Sequence, residues 1–145
     1  MDKYVKSVFT FENYIVNKLD FKLNSNFSYS KPVDIDFSVD INVTLADSPL
    51  TGRVTLDANV FNDALKENYP FELFVSMTGS FSVTDDSMTK EQFLKFCGLN
   101  GTAALFPFLR TIIADVTKAA NIEPLILPLI NVQNLIDNQN EEEKA

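Results

Sequence analysis

The chain has no histidine, no tryptophan, a single cysteine (Cys97) and 4 glycines in 145 residues. Each shortage closes a class of chemistry. Without histidine, no side chain has an ordinary proton affinity near neutral pH, so histidine-based acid–base catalysis and hydrolytic triads are excluded. One cysteine leaves no zinc, haem or disulfide framework, and no cofactor or metal is expected. So few glycines cannot readily build phosphate-cradling loops, and no Gly-x-Ser-x-Gly elbow occurs. Cys97, with no histidine base available, reads as a small buried apolar residue and not as a nucleophile. An enzyme is not expected. Basic residues are also scarce: 12 against 20 acidic ones give a net charge of -8. That balance disfavours nucleic-acid phosphates and anionic lipid as partners. The first twenty residues interleave Asp2, Lys3, Lys6, Glu12 and Lys18 with apolar ones, unlike a signal peptide. No apolar run approaches the ~18 residues of a membrane span. The expectation is a soluble, cytoplasmic protein without membrane insertion.

What is present is a chain for one core, 46% hydrophobic and 22% charged, with 13 Phe and 4 Tyr. The phenylalanines either fill that core or reach a partner surface. Residues 7–24 read as a first strand or a bent pair of strands. Phe9 and Phe11 alternate with polar neighbours, the phase slips at Tyr14-Ile15-Val16, and Leu19, Phe21 and Leu23 alternate again. Residues 24–32 form a polar loop. From Val33 to Leu45 every odd residue is apolar and every even one polar. Strict period two predicts one long antiparallel strand over 33–45 with an oily and a wet face. A turn at 46–52 leads to a third strand (Val54, Leu56, Ala58, Val60), and Asn62–Pro70 connects it to a fourth over 71–83. Gly79 falls in phase on the apolar face of the fourth strand, where it permits a kink or a close backbone approach. The four strands are expected to form an antiparallel meander.

Asp85 and Asp86 mark the end of the sheet. Thr89-Lys90-Glu91-Gln92 has the form of a capping box, flanked by a Met88–Phe93 staple, and predicts a short helix ending at Gly98. A Gly-marked loop should follow. Pro107 suits a first helical turn, so the main helix is placed near Phe106-Pro107, with Leu105, Leu109, Ile112, Ile113 and Val116 as its stripe. Pro124 and Pro128 forbid helix between them, making Leu125-Ile126-Leu127 an extended connector. Connectors are normally polar, so an oily one is either buried or offered to a partner. Asn131 should cap a second helix bearing Val132, Leu135 and Ile136. Residues 138–145 read as a disordered acidic tail after a single domain over 1–137. Strands first and helices last give an α+β protein, one sheet with two main C-terminal helices on one face.

The run Cys97-Gly98, then Leu105-Phe106-Pro107-Phe108, then Pro124, Leu125, Leu127 and Asn131 resembles the SecB family of protein-export chaperones. The resemblance implies the same fold and an ATP-independent holdase that receives non-native polypeptides in apolar grooves between the sheet and the connector. By position, Ile122, Leu125 and Leu127 would line such a groove; the bland alternative is that they close the monomer core or a subunit contact. Phe106, Phe108, Ile112 and Ala119 on the outer helix face are candidates for an oligomer interface. The family forms dimers through sheet edges and tetramers by stacking helices, so a homo-oligomer is expected, tetramer ahead of dimer. Such chaperones are thought to dock a translocation ATPase through acidic residues of the first strand, yet Lys18 and Lys22 occupy what look like those positions. Asp34, Asp36 and Asp40, expected on one strand face with carboxylates two residues apart about 7 Å from each other, are the alternative acidic docking face. Some family members protect one antitoxin and need no motor. Outside the family, a carrier of small hydrophobic ligands and an assembly module without clients are the competing readings.

Overall fold

The computed structural model describes residues 9–30, 32–47, 49–83 and 88–144. Alternating residues build β1 (Phe9–Leu23), β2 (Phe37–Ala46), β3 (Thr51–Val60) and β4 (Phe71–Val83) into one antiparallel sheet in the order β1-β4-β3-β2. The helices are α1 (Ala64–Glu67), α2 (Lys90–Phe96), α3 (Thr102–Ala119) and α4 (Val132–Lys144). The expected α+β architecture is present, with one correction to its connectivity. Only β2, β3 and β4 form a meander, while β1 crosses over to pair with β4. β1 is a single strand, and its predicted phase slip appears as two irregularities, between Phe11 and Asn13 and between Val16 and Lys18.

The strand expected over 33–45 begins only at Phe37, paired with Val60. Beyond Val60 the partner strand turns away, because Phe61 takes a left-handed backbone (φ 53). Its N–H still bonds Asp36 O at 2.8 Å, but residues 33–36 have no strand to pair with. The connection over 62–70 contains α1, a short helical turn. The turn marked by Asp85 and Asp86 lies outside the described residues, as do residues 1–8 of the N-terminal reading.

The helical layer departs more from expectation. The Thr89 capping box is present, with Gln92 N donating to Thr89 Oγ1 at 3.1 Å and Thr89 N to Gln92 Oε1 at 2.9 Å. No loop follows it. Cys97–Gly101 form a π-helical turn that joins α2 directly to α3, and no glycine has positive φ. These glycines therefore act through their missing side chain and not through unusual backbone angles. A Cβ on Gly101 would lie 2.9 Å from Val54 Cγ2. Pro107 sits inside α3, beyond its first turn. It removes a donor from the Ala103 carbonyl, a loss tolerated because Ala103 and Pro107 face solvent. The run Lys90–Ala119 is long and apolar enough by composition to cross a membrane. Here its apolar side, Leu105, Leu109 and Ile113, is fully buried against Val54, Leu56, Val75, Met77 and Phe81 of its own sheet. The acidic tail also departs from expectation. α4 continues to Lys144, with Asn131 as the predicted cap, its Oδ1 accepting from Asn134 N at 3.1 Å.

Gly79 serves the close approach anticipated for it. A Cβ there would stand 2.6 Å from Leu105 Cδ2, a fully buried side chain. Gly79→Ala is expected to lower unfolding free energy by about 1–3 kcal/mol through overpacking. Gly98→Ala, whose methyl would meet only Val43 Cγ2 at 4.0 Å, should be neutral or stabilising in the same urea titration.

A pinned connector beside an aromatic groove

α3 ends in a Schellman turn. Asn121 is left-handed (φ 63), its N–H reaches Lys118 O at 3.0 Å, and Ile122 N reaches Thr117 O at 3.2 Å. This reverses the chain and delivers Ile122 toward the sheet. The Pro-bracketed segment that follows makes no regular structure, so its backbone groups need partners. Two side chains of α3 supply them. Thr117, fully buried, accepts from Leu125 N at 2.8 Å through Oγ1, whose hydroxyl lies 2.9 Å from the carbonyls of Ile113 and Ala114. Arg110 Nε donates to Leu127 O at 2.8 Å.

The pins set which side chains point where. Leu127 is fully buried in the core, so the expectation that it lines an accessible groove is corrected: it is the anchor that holds the segment down. Ile122 and Leu125 are half-buried and do line a groove of about 390 Å³. Ile126 (58% exposed) and Leu129 (83% exposed) point outward. The opposite wall combines Phe27 and Tyr29 of the loop after β1, Val33 and Ile35 before β2, and Phe61 and Phe71 at the strand ends. Composition marked 24–32 only as a polar loop; its two aromatics were the available signal. Left-handed Phe61 carries about 1–3 kcal/mol of backbone strain. It is offset by ring contacts, tilted against Tyr69 (4.8 Å) and edge-to-face with Phe71 (5.1 Å), and by the bond to Asp36 O. Tyr69 donates to Asp36 Oδ2 at 3.1 Å, and that carboxylate holds its phenol above the ordinary range.

A family model described as "Preprotein translocase subunit SecB" matches residues 4–143. The chain belongs to the SecB family. Among its relatives, the uncharacterised protein MJ0357 of Methanocaldococcus jannaschii is 30% identical over 95% of this chain and 88% of its own. The protein-export protein SecB of Anaplasma phagocytophilum is 28% identical, covering 94% and 89%. The fold is shared with the SecB-like chaperone Rv1957 of Mycobacterium tuberculosis, solved with a ChAD peptide from the antitoxin HigA1. That match has TM-score 0.61 and 13% identity, over 85% of this chain and 91% of the other. SecB membership and the shared fold support a holdase chaperone and point to a non-catalytic role.

Other surfaces suggested by the SecB resemblance divide. Asp34, Asp36 and Asp40 do not share a strand face: Asp34 and Asp36 precede β2, and Asp36 is engaged with Phe61 and Tyr69. Asp40 lies on the polar, helix-free sheet face opposite Asp57. Lys18 is on that face too, its ammonium 5.6 Å from the centre of the Phe74 ring, and Lys22 stands opposite Glu72 in the β1–β4 register. Of the proposed interface residues, Phe106 is buried in its own core because the helix register turns it to the sheet. Phe108 is 39% exposed and meets Tyr14 and Phe11 of β1 at 4.8 and 5.9 Å, Ile112 is half-buried, and Ala119 is exposed. Cys97 is fully buried, and burial pushes its thiol up to about 11.

Leu127→Ala should cost about 2–5 kcal/mol in urea unfolding, while Leu129→Ser should leave the midpoint unchanged. Cys97 should resist a thiol-disulfide reagent at pH 8 in the folded protein and react at once in denaturant. Burial and a raised pKa both suppress its thiolate.

Proposed function

We propose that the protein is a nucleotide-independent holdase that takes apolar stretches of non-native polypeptides into the groove walled by Ile122 and Leu125. The observation that carries this reading is an open groove with aromatic walls beside a connector whose Ile126 and Leu129 are exposed. Binding there would be non-directional burial, contributing about 1.5–3 kcal/mol for each large apolar side chain fully covered. Ordering a flexible client offsets part of that gain, so affinity would come from several side chains at once. Such burial reads shape and apolarity and tolerates many sequences. It requires neither cofactor nor metal.

The working form is read as a cytoplasmic homo-oligomer, tetramer ahead of dimer. Its contacts would draw on Phe108 and Ile112, together with Ile15, Val16 and Leu19, which are exposed on the edge strand β1. A handover to a translocation ATPase is disfavoured by Lys18 and Lys22, and the separation of Asp34 and Asp36 from Asp40 removes a continuous acidic strip. One dedicated client, as in the Mycobacterium chaperone–antitoxin pair, is therefore the favoured variant of the holdase role. A carrier of small apolar ligands fits less well, since the groove is open to solvent and not an enclosed cavity.

The protein is expected to suppress aggregation of a chemically unfolded test protein, by light scattering without nucleotide, near one oligomer per client. No suppression at about tenfold excess would remove the holdase reading. Ile122→Asp with Leu125→Asp should abolish suppression while the far-UV spectrum and melting temperature stay near wild type. Full suppression by that double variant would place the client elsewhere.

A further inference from the structure

β2 is one of the two edge strands, and its outward-facing main chain carries an uncommon contact. Ile41 N donates to Gln139 Oε1 at 2.8 Å, and Gln139 Nε2 donates to Ile41 O at 2.8 Å. The carboxamide thereby reproduces, at one residue, the pair of bonds that an adjacent antiparallel strand would make. Side chains and main chains 98 positions apart are joined by it.

The two edges are not defended alike. β1 has two register irregularities and carries Lys18 and Lys22, all features that discourage indiscriminate strand pairing. β2 has none of these: its register against β3 is unbroken from Phe37 to Ala46, and it holds no lysine and no proline. It is also self-complementary. Antiparallel pairing of two copies about a dyad at Ile41 sets Ile41 opposite Ile41, Val39 opposite Val43 and Phe37 opposite Leu45. On the other face Asp40 meets Asn42, so no like charges oppose. In that arrangement the pair at the dyad would be Ile41 with Ile41, through the same N–H and C=O that Gln139 now occupies.

We infer that Gln139 is a guard residue: its carboxamide caps the β2 edge at Ile41 and prevents β2-to-β2 pairing with a second copy of this chain. An uncovered β2 edge would let two copies, or two assemblies of them, join strand to strand, whereas the capped edge presents no free N–H and C=O at Ile41. This inference does not depend on the holdase reading.

The test uses the full chain. Gln139→Ala is expected to raise the rate of hydrogen exchange at the Ile41 amide in dilute solution, where the edge is free, and to produce a concentration-dependent rise in mass by sedimentation velocity. The smallest new species should be roughly double the wild-type assembly. Adding Val43→Pro, which removes an outward donor from the edge, should return the mass to the wild-type value. Gln139→Glu, able to accept from Ile41 N but not to donate to Ile41 O at pH 7, should associate detectably but less than Gln139→Ala. Three results would overturn the inference: unchanged mass in Gln139→Ala with faster exchange at Ile41, association that survives Val43→Pro, or a gain in affinity for an unfolded client without self-association. A circular-dichroism melt of each variant separates these outcomes from unfolding, since a folded Gln139→Ala that stays at wild-type mass counts against the guard role.

Discussion

The site depends on how α3 grips the segment that leaves it. A proline-bracketed connector cannot satisfy its own backbone, and it would drift from the sheet if left to solvent. Thr117 and Arg110 fasten it at Leu125 N and Leu127 O; the neutral Thr117 bond contributes about 0.5–1.5 kcal/mol net, and the charge-assisted Arg110 bond more. The larger effect is directional. With those two points fixed, an extended chain must send Leu127 inward and Ile126 outward, leaving Leu125 at the margin beside Ile122. A groove wall is thus built from residues that a looser connector would have lost to the core.

The grip is possible because the helical run lies unusually close to the sheet. Gly79 makes room for Leu105, Gly101 for Val54 and Phe81, and Gly52 for Cys97 and Phe93, each where a methyl would intrude. Close layering leaves a core of Leu, Val, Met and Phe with little slack and moves the open apolar surface to its border. There the aromatics of the loop after β1 and the left-handed Phe61 complete the groove. The other face of the sheet stays polar, with Thr55 and Thr78 sharing a hydrogen bond at 2.8 Å and Asn17 donating to Thr78 at the same distance. One face is therefore committed to the helices, one to solvent, and the open apolar groove lies at the seam.

Much of this was legible in residue order, for reasons that also explain the failures. Period-two alternation reports a sheet face, which is why β2, β3 and β4 were located. It cannot report whether a partner strand is present, and so Val33 and Ile35 were read as strand when they are groove wall. The capping box at Thr89 and the cap at Asn131 are local hydrogen-bond patterns and were read correctly. Glycine punctuates helices, so Gly98 predicts a helix stop, yet here it and Gly101 continue the helix through a π turn. Pro124 and Pro128 announced the connector but not its rotation, because the pins that orient it come from side chains on another element. Acidic composition suggested a disordered tail. What holds that tail is the partial burial of Leu135 and Ile136 and the contact of Gln139 with a strand far away in sequence.

In the proposed role, the groove side of the connector is the surface that meets a client. A photo-crosslinking amino acid placed at Leu125, at Leu129 or at Asp40, in the presence of a labelled non-native polypeptide, tests this most directly. Strong adducts from position 125, fewer from 129 and none from position 40 on the polar sheet face are the predicted pattern. Adducts from position 40 with none from 125 would contradict it.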